Sequence, residues 1–120
     1  PNPPDQPMRI SDVTDGLSQS MLLCEDAGRP ERWVQGAKTG TTGASHWADP
    51  DSWYWHHNTC RGGQIFNCDN SNEIYSMHPG GGMFLFGDGS THFLTDDINS
   101  EVFVSIFTAA AGDIVTSTDF

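Results

Sequence analysis

The stretch that decides the fold is Met83-Phe84-Leu85-Phe86-Gly87-Asp88-Gly89-Ser90-Thr91-His92-Phe93-Leu94. Two runs of residues that favour strands, 83–86 and 91–94, flank a short turn sequence. Asp-Gly between such runs predicts a β-hairpin, because glycine reaches the positive φ that a tight turn needs. We therefore expect an antiparallel hairpin that bends at Asp88-Gly89.

The rest of the chain completes an α+β pattern. Short strands are predicted over 17–24, 64–66, 73–77 and 113–115, and a long surface loop over 28–51. From residue 98 onward the apolar residues follow helical spacing, with Gly112 as the stop and Asp96 or Asp97 as the cap. The expected fold is α+β, mainly an antiparallel sheet of four to six strands, with one carboxy-terminal helix over about 98–110.

Length and composition predict one globular domain. We expect residues 1–9, which are rich in proline, to form an extended tail or linker, and 10–120 to form the domain. Sixteen acidic residues against five Lys and Arg give a net charge of −11. Such a surface argues against nucleic acid and anionic lipid as partners. No apolar run is long enough to span a bilayer, and the opening Pro1-Asn2-Pro3 resembles the interior of a longer protein.

The three cysteines predict one disulfide. Cys60 and Cys68 are eight residues apart in a Gly- and Asn-rich stretch, close enough to bridge across a short loop, although two free thiols would also fit. Cys24 lies in the apolar run Met21-Leu22-Leu23-Cys24 and is expected to be a small core residue. Because no paired Cys/His spacing is present, a zinc site is not expected.

A longer motif leads into the hairpin. It contains Asn67-Cys68, Asn72-Glu73, Tyr75-Ser76, His78-Pro79-Gly80-Gly81 and Asp88-Gly89-Ser90, with nine residues between His78 and Asp88. This segment, 67–94, resembles the His-x9-Asp-Gly signature of the bacterial DUF1559 family, whose members carry a prepilin-type leader. Residues 10–25 and 107–115 are similar to two further family blocks, with Gln19 and Cys24 departing from the usual Asn and Gly. The resemblance does not extend to 29–59.

The resemblance implies a pilin-like globular head that lacks its amino-terminal hydrophobic helix. Such a protein is expected outside the cell or at its surface. It would act by assembling with other pilin-like subunits or with secretion machinery, and would meet the membrane only through the missing helix. The function that we expect is therefore the head of a type IV pilin-like or type II secretion pseudopilin-like protein. The alternative is a secreted carbohydrate- or matrix-binding module in which Trp53 and Trp55 form an aromatic platform.

His78 and Asp88 have two interpretations. They could be an acid/base pair, which would make the chain a hydrolase. The simpler interpretation gives His78, Gly80, Gly81, Asp88 and Gly89 structural roles, with His78 at the start of a loop and Asp88 in a turn. Since Ser90 lacks the context of an activated nucleophile, we expect no catalysis.

Calcium is the metal that the composition makes possible. Oxygen-rich segments contain Asp15, Glu25, Asp69 and Glu73, and calcium prefers such hard oxygen ligands in flexible loops. The alternation Asp69-x-Ser71-x-Glu73 lacks the glycine and the distal glutamate of an EF-hand. Solvated turns that bind no metal therefore explain these acidic segments as well as a calcium site does, and no cofactor is certain.

Overall fold

The computed structural model describes residues 9–43, 60–71 and 73–107. Five strands are present in these ranges: β1 (Met21–Leu23), β2 (Glu31–Val34), β3 (Ala37–Thr41), β4 (Gly81–Phe86) and β5 (Thr91–Thr95). One helix, α1 (Ser100–Phe107), follows them, and Ile10–Asp12, Leu17–Gln19 and Arg61–Gly63 form 3-10 turns. The predicted α+β fold, mainly antiparallel with one carboxy-terminal helix, is confirmed.

The predicted hairpin is the centre of the main sheet. β4 lies between β1 and β5, and both pairings are antiparallel. Phe86 and Ser90 close the turn through a 2.8 Å backbone hydrogen bond, and Gly89 has φ +87°. The Asp-Gly sequence predicted a tight turn because glycine reaches such a positive φ.

The core lies between one face of this sheet, α1 and the loop before β4. Phe66, Phe84 and Phe103 come from these three elements, and their ring centroids are 5.3–5.9 Å apart. Such aromatic contacts contribute about 0.5–1.5 kcal/mol per pair beyond the burial of area. The buried cluster is completed by Ile65, Ile74, Phe86, Leu94 and Ile106, and Cys24 packs against its edge, as expected.

Several predicted element boundaries are wrong. The strand expected over 17–24 is a 3-10 turn followed by the three-residue β1, and the strands expected over 64–66 and 73–77 form only the isolated bridges Cys60–Gln64 and Asp26–Tyr75. Helix α1 begins at Ser100, capped by Asn99, whose side chain accepts hydrogen bonds from Glu101 N (2.9 Å) and Val102 N (3.2 Å). Asp96 is not the cap because it binds Asn67 instead. The expected strand 113–115 lies outside the described residues.

The expected loop over 28–51 contains a second hairpin. β2 and β3 pair antiparallel as a separate two-stranded sheet, joined by Gln35-Gly36, which have φ of +49° and +83°. Two consecutive positive φ values are typical of the type I′ turn. The glycine at the second turn position is the one feature of the sequence that indicates this hairpin. The hairpin was missed because the exposed, polar β3 lacks the apolar alternation that identifies a strand.

Within the three described ranges, no helix is both long and apolar enough to cross a membrane.

Candidate functional site

The described residues form an open cleft of about 520 Å³. Its walls come from the β2–β3 hairpin, the disulfide-closed turn after Cys60 and the loop that leads into β4. Its lining includes Trp33, Gln35, Arg61, Asn67, Tyr75 and His78. Asp96 also lines the cleft, which therefore collects aromatic, amide, basic and acidic groups from segments far apart in sequence.

Asn70 fixes the wall that carries Trp33. Its side chain is fully buried and accepts a hydrogen bond from Trp33 N (2.8 Å). Its amide donates to the carbonyls of Ala27 (3.0 Å) and Glu31 (2.7 Å). One side chain thus bonds to two backbone groups of β2 and to one in the segment before it. The second hairpin is otherwise a two-stranded sheet of little independent stability.

Asn67 fixes the floor of the cleft. It has φ +63°, a conformation that asparagine tolerates better than most residues. Its Oδ1 accepts from Ser76 N at 2.7 Å, and its Nδ2 donates to the Gly81 carbonyl at 3.2 Å. The loop from Phe66 to Ser76 is therefore tied to the start of β4.

The disulfide closes the turn that carries Arg61. Cys60 and Cys68 are bonded with Cα atoms 6.0 Å apart, so the predicted pairing is confirmed. Cys60 and Gln64 exchange two backbone hydrogen bonds of 2.8 and 2.7 Å across the same turn. Arg61 lies between them with φ +30°, which is unusual for a residue with a side chain.

The motif residues His78 and Asp88 lie at opposite ends of β4. His78 precedes the strand and Asp88 follows it. Six residues at about 3.3 Å each separate them by roughly 20 Å. The structure therefore does not bring the two residues together, and an acid/base pair between them has no geometric basis.

The histidine end of the motif lines the cleft. His78 N donates to Ser76 Oγ (3.0 Å), and its exposed ring has Nε2 3.8 Å from Glu25 Oε1. Gly80, with φ +77°, accepts from Asp96 N at 3.0 Å. Gly81 has no room for a side chain, because a Cβ there would collide with the Leu94 carbonyl oxygen and the Phe93 ring.

The aspartate end forms a short chain of polar groups. Ser90 Oγ lies 2.6 Å from Asp88 Oδ1 and 3.0 Å from His92 Nε2. The hydroxyl has one proton, and a carboxylate can only accept, so Ser90 donates to Asp88 and His92 Nε2 donates to Ser90. These bonds hold the pKa of Asp88 below its usual value. An imidazole that donates to the hydroxyl cannot also remove its proton, so this order differs from that of a Ser-His-Asp triad.

The four acids considered for calcium lie in different surroundings. Asp69 is 2.7 Å from Arg32 and also accepts from Ser71 N, while Glu25 faces His78. Glu73 is buried, and Asp15 lies in the turn between the first two 3-10 segments. Among the described residues, no group of three or more His, Cys, Asp or Glu side chains is arranged to hold a metal ion. The described residues therefore offer no site that supports the calcium hypothesis.

Two buried groups near this region have raised pKa values. Burial raises the pKa of Asp26 to about 7, because the attraction of Arg29, at 3.3 Å, does not offset desolvation and the nearby Asp69 and Glu73. Burial, with Asp26 and Glu25 nearby, raises the pKa of the Cys24 thiol to about 11. Cys24 is therefore a protonated, weakly nucleophilic thiol at neutral pH.

The face of the main sheet that points away from the core carries four apolar side chains, with the exposed Thr91 and Thr95 beside them. Met83 lies opposite Phe93, and Leu85 lies opposite Leu23. Leu23, Met83 and Phe93 are 61%, 40% and 48% exposed, respectively. We call Leu23, Met83, Leu85 and Phe93 the outer patch. The solvent-facing side of an antiparallel sheet is usually polar, so an apolar one requires an explanation.

Sequence reasoning selected some of these residues and missed others. Trp53 and Trp55, the proposed sugar platform, lie outside the described residues. Asn70 and Trp33 were not selected, since a buried amide and an isolated tryptophan have no spacing signature. The outer patch could have been predicted from the sequence. Met83 and Leu85 alternate with Phe84 and Phe86, so both faces of β4 are apolar.

A family model described as a protein of unknown function (DUF1559) matches residues 3–101 of the chain. The match spans the cleft and the central hairpin, and also 29–59, which the resemblance did not cover. No curated protein and no solved structure gives a match. The family inferred from the sequence is thereby confirmed.

Proposed function

This chain belongs to the DUF1559 family, and on that premise we propose that it is the head of a type IV pilin-like or type II secretion pseudopilin-like surface protein. Its role is assembly with other pilin-like subunits outside the cell or at the cell surface. The observation that carries the proposal is the outer patch. No catalytic step is assigned to the chain.

The outer patch has the chemistry of a contact surface. Four apolar side chains lie at neighbouring positions on three hydrogen-bonded strands, and the polar residues beside them, Thr91 and Thr95, are uncharged. Covering such an area gains roughly 25 cal/mol per Å² of apolar surface removed from water. The sheet presents these side chains on a fixed backbone, so little ordering cost accompanies binding.

The charge of the chain favours specific over indiscriminate association. A net charge of −11 keeps heads apart through mutual repulsion, so burial of the outer patch needs a partner with a complementary surface. A neighbouring pilin-like subunit that presents an apolar helix or sheet face meets this requirement. The disulfide is compatible with an oxidising, extracellular setting.

Site-specific photo-crosslinking tests the proposal. A photoreactive phenylalanine analogue is placed at Phe93 in the full-length protein, with its natural upstream segment, in the cells that produce it. We expect crosslinks to a pilin-like subunit, identified by mass spectrometry. The control position is Thr39, which is exposed on β3 in the other sheet. Absence of crosslinks from 93, or equal crosslinking from 39, contradicts the proposal.

A further inference from the structure

We propose that the outer patch binds an amphipathic helix of another protein, whose apolar stripe is flanked by lysine or arginine side chains. This inference rests on the proposed function and names the chemistry of the partner. Two features of the main sheet carry it: the distribution of charge around the sheet, and the width of the patch.

Lysine and arginine are absent from the two parts of the chain that build the main sheet. The five such residues stand at positions 9, 29, 32, 38 and 61. None therefore lies in 10–28, which contains β1, or in 62–107, which contains β4, β5 and α1. Arg29, Arg32 and Lys38 form ion pairs with acidic residues outside the main sheet. The strands that carry the outer patch thus contribute no strong cation to its surroundings.

Acidic side chains lie at the ends of the same strands. Glu25 follows β1, Asp88 lies in the turn between β4 and β5, and Asp97 follows β5. We call these three residues the acidic rim. Asp88 and Asp97 are exposed, and Glu25 is partly exposed. At about 3.3 Å per residue they lie roughly 7–13 Å from the nearest patch residue along the chain, a distance over which charges still interact at physiological salt.

A second copy of this chain does not suit the outer patch. Face-to-face pairing of two copies would place one acidic rim against the other, and like charges that meet across an interface cost affinity. The net charge of −11 adds repulsion at longer range. A partner with lysine or arginine beside its apolar residues turns the same rim into an attraction, which also raises the rate of association.

The width of the patch favours a helix. Its residues lie on three adjacent strands, and a strand spacing of about 4.8 Å places β1 and β5 about 10 Å from each other. An α-helix with its side chains is about 10–12 Å across, so one helix covers the three strands at once. A helix packed on the face of a sheet is also a common way to bury the apolar sides of both.

Fluorescence anisotropy with two matched helical peptides measures binding to the head. Both peptides carry the same leucine stripe, flanked by lysine in one and by glutamate in the other. At about 0.1 M salt we expect the lysine peptide to bind about tenfold more tightly, because the acidic rim attracts lysine and repels glutamate. Raising the salt to about 0.5 M should reduce this preference, since it shortens the range of the field around the rim.

Variants of the head, each checked for folding by circular dichroism, locate the bound peptide. Phe93→Gln and Leu23→Gln each remove one apolar side chain of the patch and should weaken the lysine peptide about tenfold. Asp88→Asn combined with Asp97→Asn should weaken it about threefold, because two charges of the rim are lost. Asparagine before Gly89 keeps the turn, since Asn-Gly forms the same kind of hairpin.

Glu31→Gln combined with Glu101→Gln is the matched control, since it removes two exposed negative charges from β2 and α1, outside the rim. It should bind the lysine peptide as the natural head does. The inference is overturned if the glutamate peptide binds equally well, or if the control weakens binding as much as the rim variant.

Two further results would also overturn the inference. One is unchanged binding of the lysine peptide to both Phe93→Gln and Leu23→Gln, which would place the peptide elsewhere. The other is dimerisation of the natural head alone that Phe93→Gln abolishes, which would make a second copy the occupant. Crosslinking from residue 93 in cells does not depend on the charge of the partner, so it tests the proposed function separately.

Discussion

Asp26 shows how one buried carboxyl group can set the pH response of the fold. Its side chain is 1% exposed and bound to Arg29, yet its Oδ1 has no partner among the described residues. Asp69 and Glu73 add repulsion, and together with burial they hold its pKa near 7. The folded chain therefore binds this proton more tightly than the unfolded chain does.

The raised pKa of Asp26 predicts a loss of stability toward alkaline pH. The contribution of this group is fully present below about pH 4, its unfolded pKa, and is lost as the pH rises through about 7. Thermal melting of the natural protein and of Asp26→Asn at pH 5, 6, 7 and 8 measures it. We expect the melting temperature of the natural protein, relative to the variant, to fall across this range.

Asp88 provides the control of opposite sign. Hydrogen bonds from Ser90 hold its pKa below its usual value, and Asp88 is not among the groups that act on Asp26. Its contribution is present above the unfolded pKa and is lost in acid, so Asp88→Asn should leave the pH 5–8 profile unchanged in shape. A difference between Asp26→Asn and the natural protein that is independent of pH would contradict the assignment.

At the scale of elements, the second hairpin depends on Asn70. Asn70→Ala removes the three hydrogen bonds that this buried side chain makes to backbone groups. At about 1–3 kcal/mol for each buried group, we expect the free energy of unfolding to fall by roughly 3 kcal/mol or more. Urea denaturation measures the change, and loss of the Trp33 position should appear in the indole NMR signal.

The matched control for Asn70 is Thr39→Ala on the same hairpin. Thr39 is exposed and makes one long hydrogen bond, of 3.4 Å, to the Arg32 carbonyl. Its replacement should change the free energy of unfolding by less than about 0.5 kcal/mol. Equal effects of Asn70→Ala and Thr39→Ala would show that Asn70 does not hold the hairpin.

The elements also show what the sequence could predict. The hairpin at Asp88-Gly89, the helix near 98–110 and the Cys60–Cys68 bond each have a local signature, and all three were found. Strands β2 and β3 were missed because β3 is polar and exposed, and because the side chain that bonds to β2, Asn70, lies 37 and 39 residues beyond its partners Trp33 and Glu31. The helix start was misplaced because Asp96, the expected cap, binds Asn67 through tertiary contacts.

Among the candidate sites, too, some features could be predicted from the sequence and others could not. His78 lies in the bend before β4, where Pro79-Gly80 follows it, and its structural role stays a prediction. The cleft was not predictable, since Trp33, Arg61 and Tyr75 meet only after two hairpins and a disulfide turn have formed. The four acids chosen for calcium satisfied a composition rule, but in the structure ion pairing and burial separate them.

At the scale of the whole molecule, the head has one apolar face that its own core does not use. Phe84, Phe86 and Leu94 point into the core, whereas Met83, Leu85 and Phe93 point away from it. The inward set stabilises the fold, and the outward set is available to a partner. We attribute assembly to the outward set.

The assembled fraction of the full-length protein carrying Phe93→Gln, compared with the natural protein, tests this claim most directly. Because about half of the Phe93 side chain is already in water, the isolated head should lose only about 1 kcal/mol of stability. The account predicts a folded head that no longer assembles, and the same result for Leu23→Gln. Normal assembly of both variants would contradict it.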